Sequence, residues 1–105
     1  MEKTLKISLL MDLYGPLLTD KQRDVLDQYY NLDLSLSEIA ENQKTSRQGV
    51  HDIVRRTYNN LIDYEDKLNL LEKLIKKEKV KKRLIKELTS KNYDLNNITK
   101  QINEL

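Results

Sequence analysis

Apolar residues fall at helical spacing along most of the chain. Ile7, Leu10, Met11 and Tyr14 stand at i, i+3, i+4 and i+7, one stripe of a first helix over Thr4–Tyr14. Gly15 and Pro16 end it, because Pro16 biases Gly15 away from helical backbone and has no N–H to donate, so "GPLL" reads as a connector. Thr19 and Gln22 then form the hydroxyl-x-x-amide pattern that satisfies two orphan amides at a helix start, and Asp20 favours the same N-terminus electrostatically. Val25, Leu26 and Tyr29 continue an inward face until Tyr30-Asn31. Ser35 and Glu38 repeat the capping box before a short helix whose apolar side is Ile39 and Ala40. Ser46 is a third capping residue, opening a helix with Val50, Ile53, Val54, Thr57 and Leu61 inside and Arg47, Gln48, His51, Asp52, Arg55, Arg56 and Asn59 outside. About three residues separate these last two helices, the length of a helix-turn-helix corner.

Beyond Asp63 the chain has no Gly or Pro from Tyr64 to Lys91, 28 residues that would extend about 42 Å as one helix. Leu61, Tyr64, Leu68, Leu71 and Ile75 keep a 3/4 spacing, and the subset Leu61, Leu68, Leu71 and Ile75 is a candidate dimer seam. From Lys76 to Arg83 only Val80 is apolar, before Leu84, Ile85 and Leu88 resume. Leu95, Ile98, Ile102 and Leu105 make a last one-faced segment after the polar break "TSKNYD". The expected organisation is a helix-turn-helix domain over 1–63, with the motif at about 35–62, and a long C-terminal helix plus a short terminal segment over 64–105 for dimerisation or packing. The fold class that follows is all-α.

Composition narrows the chemistry. The chain of 105 residues has no Cys, one His and only three Gly or Pro residues together, with 34% charged residues. Disulfide scaffolds, zinc ribbons and thiol nucleophiles are removed, a multi-histidine metal site cannot be built, and a barrel or sandwich is disfavoured. No enzyme, metal or cofactor is expected. No stretch approaches a membrane span and the start lacks a signal-peptide cleavage pattern, so a cytoplasmic protein without membrane insertion is expected. Net charge is only +2, yet residues 1–45 carry 5 Lys/Arg against 8 Asp/Glu while residues 46–91 carry 13 against 7. Such a basic second half suits a polyanion, although a solvated charged face looks the same.

The outer face of the helix opened by Ser46 is where chemistry concentrates. In a DNA-reading helix-turn-helix the second helix enters the major groove near its N-terminus, so Ser46, Arg47, Gln48, His51 and Asp52 are candidate contacts to bases or phosphates. Arg55 and Arg56, a turn later, suit phosphate oxygens, which position without reading sequence. The plainer alternative is a trihelical fold used for protein contacts with these side chains in water. Beyond Asp52, no Ser or carboxylate is tied to His51 by local spacing, so His51 reads more simply as a surface or half-buried residue than as a catalytic base. The acidic group Asp63, Glu65 and Asp66 reads more simply as capping or solvated charge than as a cation site, and Tyr29 as core. The lysines from Lys73 to Lys91 could follow phosphates or form the wet face of a helix.

The blocks "LLMDLYGPLLTDKQRDVLDQYY", "LSLSEIAENQKTSRQGVHDIVRRT" and "LIDYEDKLNLLEKL" resemble the YlxM family of small bacterial helix-turn-helix proteins over about residues 5–75. The middle block is also similar to region four of bacterial sigma factors, at "LTDKQRDVL" and "LSEIA...SRQGV". The resemblance implies an all-helical fold, a sigma region four-like helix-turn-helix bundle, and recognition-helix roles for Ser46, Arg47, Gln48, Val50 and Asp52. From gene neighbourhood it also implies a part in the signal recognition particle pathway. The family turn has an apolar residue, Gly and a second apolar residue where this chain has Gln43, Lys44 and Thr45, so Lys44 is expected to bear a left-handed backbone and the corner to be looser. Gly49 replaces a usual Ala, at a cost of up to about 1 kcal/mol in a helix.

The expected function is a helix-turn-helix regulatory protein that binds nucleic acid, DNA first, as a homodimer, with a role in the signal recognition particle pathway. The alternative is an accessory factor that binds the particle's protein or RNA through the long basic helix, with the helix-turn-helix as scaffold.

Overall fold

The computed structural model describes residues 1–90 and 93–105, and among these there are six α-helices and no strand. They are α1 (Lys3–Tyr14), α2 (Asp20–Leu26), α3 (Leu36–Gln43), α4 (Arg47–Leu68), α5 (Leu70–Leu88) and α6 (Leu95–Asn103). The chain divides into two compact units, Met1–Asn69 and Leu70–Leu105.

In the first unit the apolar stripes close on one another. Ile7, Leu10 and Tyr14 of α1, Val25 and Leu26 of α2, Ile39 and Ala40 of α3, and Val50, Val54 and Leu61 of α4 are all buried. α4 packs against α1, α2 and α3 alike and is the central helix. Burial of this kind stabilises by roughly 1.5–3 kcal/mol per large aliphatic side chain, which is why the stripe positions rather than intrinsic propensity hold these short helices. Met11, expected in the stripe, is only half-buried at its margin, and Tyr29 is half-buried with its ring edge-on to Tyr30 at 5.0 Å.

Three local expectations change. Gly15 is helical (φ −49°, ψ −41°), so Pro16 does not drive it into extended backbone; instead Gly15–Leu17 form a tight 3₁₀ turn continuing from α1 with Pro16 in its first turn, where no N–H is needed. α2 does not simply stop: Asp27–Asn31 widen into one turn of π-helix before Leu32. The helix expected to run unbroken through 64–91 is interrupted at Asn69, which takes a left-handed conformation (φ 55°, ψ 31°) and donates its N–H to Glu65 O. Asparagine tolerates that region better than most residues, so it ends α4 without glycine or proline. α4 therefore extends to Leu68, and the two compact units part at 69/70.

In the second unit α5 and α6 pack as a hairpin over Val80 and Ile98. Glu87 ties it together, accepting from Asn97 Nδ2 at 2.8 Å and Gln101 Nε2 at 2.5 Å. Of the expected α6 face only Ile98 is buried; Leu95, Ile102 and Leu105 are exposed and Gln101 is buried in their stead. The part of the basic run at Lys91 lies outside the described residues.

Candidate nucleic-acid interface

The corner that would present a reading helix is built from three capping interactions and one strained residue. Ser35 Oγ accepts from the Glu38 N–H at 3.1 Å while Glu38 Oε1 accepts from the Ser35 N–H, so both ends of the box close at the start of α3. The Glu38 carboxyl is held below its ordinary value, first by the Ser35 backbone N–H and then by the Ser35 side chain. The same reciprocal box closes at Thr19 and Gln22. At the far end of α3, Lys44 is left-handed (φ 53°, ψ 45°), with its N–H on Glu41 O and the Thr45 N–H on Ala40 O. These two bonds satisfy the last carbonyls of α3 in the Schellman arrangement, with lysine where glycine is the strain-free choice.

The looser corner expected from "QKT" is not what the hydrogen bonds describe. Gln43 Nε2 donates to Asp24 Oδ2 at 2.6 Å and Asn42 Nδ2 donates to Gln28 Oε1 at 2.9 Å, so side-chain amides tie the end of α3 to α2 and to the turn that follows it. Polar ties stand where the family turn has apolar residues. Gly49 has a local reason too. A methyl group there would come within 3.1 Å of Thr45 Oγ1 and 3.2 Å of Ser46 Oγ, the hydroxyl that accepts the Gly49 N–H at 3.0 Å and caps α4.

From that cap, α4 presents two faces. Val50, Val54, Thr57 and Leu61 are buried, whereas Arg47, Gln48, His51, Arg55 and Arg56 are exposed. Four of the expected residues form one cluster around Asp52. Gln48 Nε2 donates to Asp52 Oδ1 at 3.1 Å, and the same oxygen lies 3.9 Å from His51 Nδ1 and 4.0 Å from Arg55 Nη2. Asp52 thus holds the Gln48 amide by a hydrogen bond and has an imidazole and a guanidinium close by on the same patch. Arg47 shares the patch's side of the helix at the first turn, and Arg56 lies further round it.

Sequence reasoning missed Lys44 as a cation: it is exposed on the turn just ahead of the α4 N-terminus, and the residue type at that corner position was the available signal. An acidic concavity lies elsewhere in the unit. Asp12, Asp20, Asp24 and Asp27 line a concavity with Arg23, whose guanidinium is paired to Asp20. Among the described residues no group of three or more His, Asp or Glu is placed to hold a metal ion. The Asp63, Glu65 and Asp66 group is partly explained by structure: Asp63 pairs with Lys67 at 2.9 Å and Glu65 with Tyr14. Of the candidate seam residues, Leu61 in the first unit and Leu71 in the second are buried, Ile75 is half-buried and Leu68 is exposed. Among the described residues, no helix is long and apolar enough to cross a membrane.

Comparison with known proteins covers the whole chain. The family model described as "Putative helix-turn-helix protein, YlxM / p13 like" matches residues 1–105. A "UPF0122 protein" of Clostridium kluyveri is 50% identical over 111 residues, covering 93% of this chain and all of the relative. One from Clostridium botulinum (strain Alaska E43 / Type E3) is 54% identical over 91 residues, 87% of this chain and 84% of the relative. A third, from Clostridium perfringens (strain 13 / Type A), is 49% identical over 105 residues, 99% of this chain and 93% of the relative. With a capped corner, a central second helix and a match from first residue to last, this chain belongs to the YlxM/p13-like family of helix-turn-helix proteins.

Proposed function

We propose that this protein is a helix-turn-helix regulatory protein that binds nucleic acid, duplex DNA in the first place, through the N-terminal half of α4. The observation that carries the reading is the Asp52-centred cluster of Gln48, His51 and Arg55 on an exposed face whose opposite side is locked into the core by Val50, Val54 and Leu61. A reading helix needs both properties, since side chains that address base edges must be positioned before the duplex arrives. Arg47 and Gln48 have the donor geometry that suits guanine and adenine edges in the major groove, whereas Arg55 and Arg56 suit phosphate oxygens. The pathway implied by the family resemblance, that of the signal recognition particle, belongs to the same proposal as the setting in which the protein acts.

Fluorescence anisotropy of the full chain against random duplex, the duplex upstream of its own operon, and the particle's RNA with and without its protein tests the reading. Preference for the upstream duplex, lost on Arg47→Ala or Gln48→Ala and evenly weakened by Arg55→Ala, is the expected result. Unchanged affinity in all three variants overturns the α4 assignment. Tight binding to the particle alone, with duplex affinity in the non-specific range of about 10⁻⁴ to 10⁻⁶ M, makes the helix-turn-helix a scaffold.

A further inference from the structure

The α5–α6 hairpin carries a second charged surface that the helix-turn-helix reading does not use. Lys76, Lys79, Arg83 and Lys86 recur at i, i+3, i+7 and i+10 on α5, which places them in one stripe along the helix. All four are exposed. Of the acidic residues of α5, Glu78 faces elsewhere and pairs with Lys81 at 3.5 Å, Glu87 stands one turn beyond Arg83 with its carboxylate taken up by Asn97 and Gln101 of α6, and Glu72 stands one turn ahead of Lys76. Lys76, Lys79 and Lys86 form no ion pair among the described residues, and only Arg83 is engaged, by Glu104 at 3.1 Å. Glu104 and Val80 complete the lining of a groove with Lys76, Lys79 and Arg83.

We infer that this groove is a sequence-independent binding site for a nucleic-acid phosphate backbone, with Glu104 as an internal counterion that yields to the phosphate. The stripe is about 15 Å long at 1.5 Å per residue, and one strand of a duplex presents a phosphate about every 3.4 Å along its axis, so four cations match roughly four phosphates. An anionic bilayer fits the surface less well. The exposed apolar residues of α5 are Leu70, Leu74, Ile85 and Leu88; the last three each lie two positions from a stripe cation, and at about 100° per residue all four fall on the side of the helix opposite the stripe. Inserting them would point the stripe away from the headgroups. The inference does not rest on base reading by α4, because the two surfaces belong to different helices and different residues.

The test measures anisotropy of the full chain with a random duplex DNA and with an RNA hairpin, as a function of salt, beside vesicles of anionic phospholipid. Three variants are compared: Lys76→Gln/Lys79→Gln/Arg83→Gln on the stripe, Lys73→Gln/Lys77→Gln/Lys81→Gln with equal charge removed off it, and Glu104→Gln. Circular dichroism confirms that each keeps its helix content. The stripe variant is expected to flatten the log–log salt slope by about 0.9 per cation removed on duplex, or about 0.7 on single strands, while the off-stripe variant retains most of it and Glu104→Gln binds several-fold tighter. A loss confined to DNA or to RNA identifies the source of the phosphates and upholds the site. Equal loss in the stripe and off-stripe variants, no change in the stripe variant, or binding to vesicles alone overturns it. Arg47→Ala run in parallel separates failure of this site from failure of α4, since the salt slope of the stripe variant is read against an intact reading helix.

Discussion

The Tyr14 hydroxyl donates to Glu65 Oε1 at 2.6 Å across 51 positions of sequence, joining the last residue of α1 to the final turns of α4. The Tyr14 ring is almost wholly buried and tilts against Tyr64 at 5.9 Å between centroids, so the bond ends a packed column rather than a surface contact. α4 is both the central strut of the unit and the bearer of the candidate interface. Its C-terminal half is anchored here, its N-terminal half by the corner.

Tyr14→Phe is expected to keep the ring packing and lose the hydrogen bond, lowering unfolding free energy by about 1–2 kcal/mol in urea titrations. A larger loss than Tyr14→Leu would contradict this division, because leucine gives up both the bond and the ring.

Thr57 offers the opposite sign. It is fully buried in α4 and its Oγ1 finds no hydrogen-bond partner among the described residues. An unsatisfied buried hydroxyl costs about 1–3 kcal/mol, and valine matches its shape. Thr57→Val should therefore raise the melting temperature and stabilise by about 1 kcal/mol, whereas Thr57→Ser, keeping the hydroxyl and opening a gap, should lower it.

At the corner, Lys44→Gly should relieve the left-handed backbone and stabilise by about 1 kcal/mol, while Lys44→Ala, with its Cβ retained, should not. Thermal melts of the two variants read the difference. Loss of duplex affinity in both would show that the Lys44 charge, and not only its backbone, serves binding.

Acid should act on the start of α3. The Glu38 carboxyl is depressed in the folded chain, by the Ser35 backbone N–H first and the Ser35 side chain second, so it binds a proton more readily when unfolded. Its contribution to stability is thus present above the unfolded carboxylate value and disappears as pH falls through the lower folded one. Wild type should exceed Glu38→Gln in stability near neutrality, with the gap closing in acid. A gap independent of pH between 6 and about 3 would reject the charged capping box.

What was legible in the chain was local. Thr19, Ser35 and Ser46 announce helix starts through their own hydrogen bonds, and the α4 stripe of Val50, Val54 and Leu61 follows helical period, so the order of the helices and the exposed Arg47–Arg56 face could be read. Features set by tertiary pairing could not. Gln43 with Asp24 and Asn42 with Gln28 join different helices, and nothing in either segment marks the partner. The break at Asn69 was hidden because Leu61, Tyr64, Leu68, Leu71 and Ile75 keep their spacing across it, while asparagine ends a helix without the signature of Gly or Pro. Gly15 misled for a related reason: a residue before proline is biased away from helix, yet packing of Tyr14 and Leu18 into the core held it there.

Asp52 is where the geometry makes its sharpest demand on binding. Its carboxylate sits among Gln48, His51 and Arg55, and on the face proposed to meet phosphates a negative charge is unfavourable unless it organises the groups around it. Asp52→Asn keeps an oxygen for Gln48 and removes the charge; Asp52→Ala removes both. If the carboxylate serves as organiser, both variants should bind random duplex more tightly by several-fold, because a repulsive charge is gone, and both should lose preference for a specific site. The loss should be greater in the alanine variant, where Gln48 is no longer held. Competition of specific against random duplex at fixed salt reads the two effects separately. Retained preference in Asp52→Ala would mean that Gln48 and Arg55 need no positioning by Asp52, and would move base reading toward Arg47 at the first turn of α4.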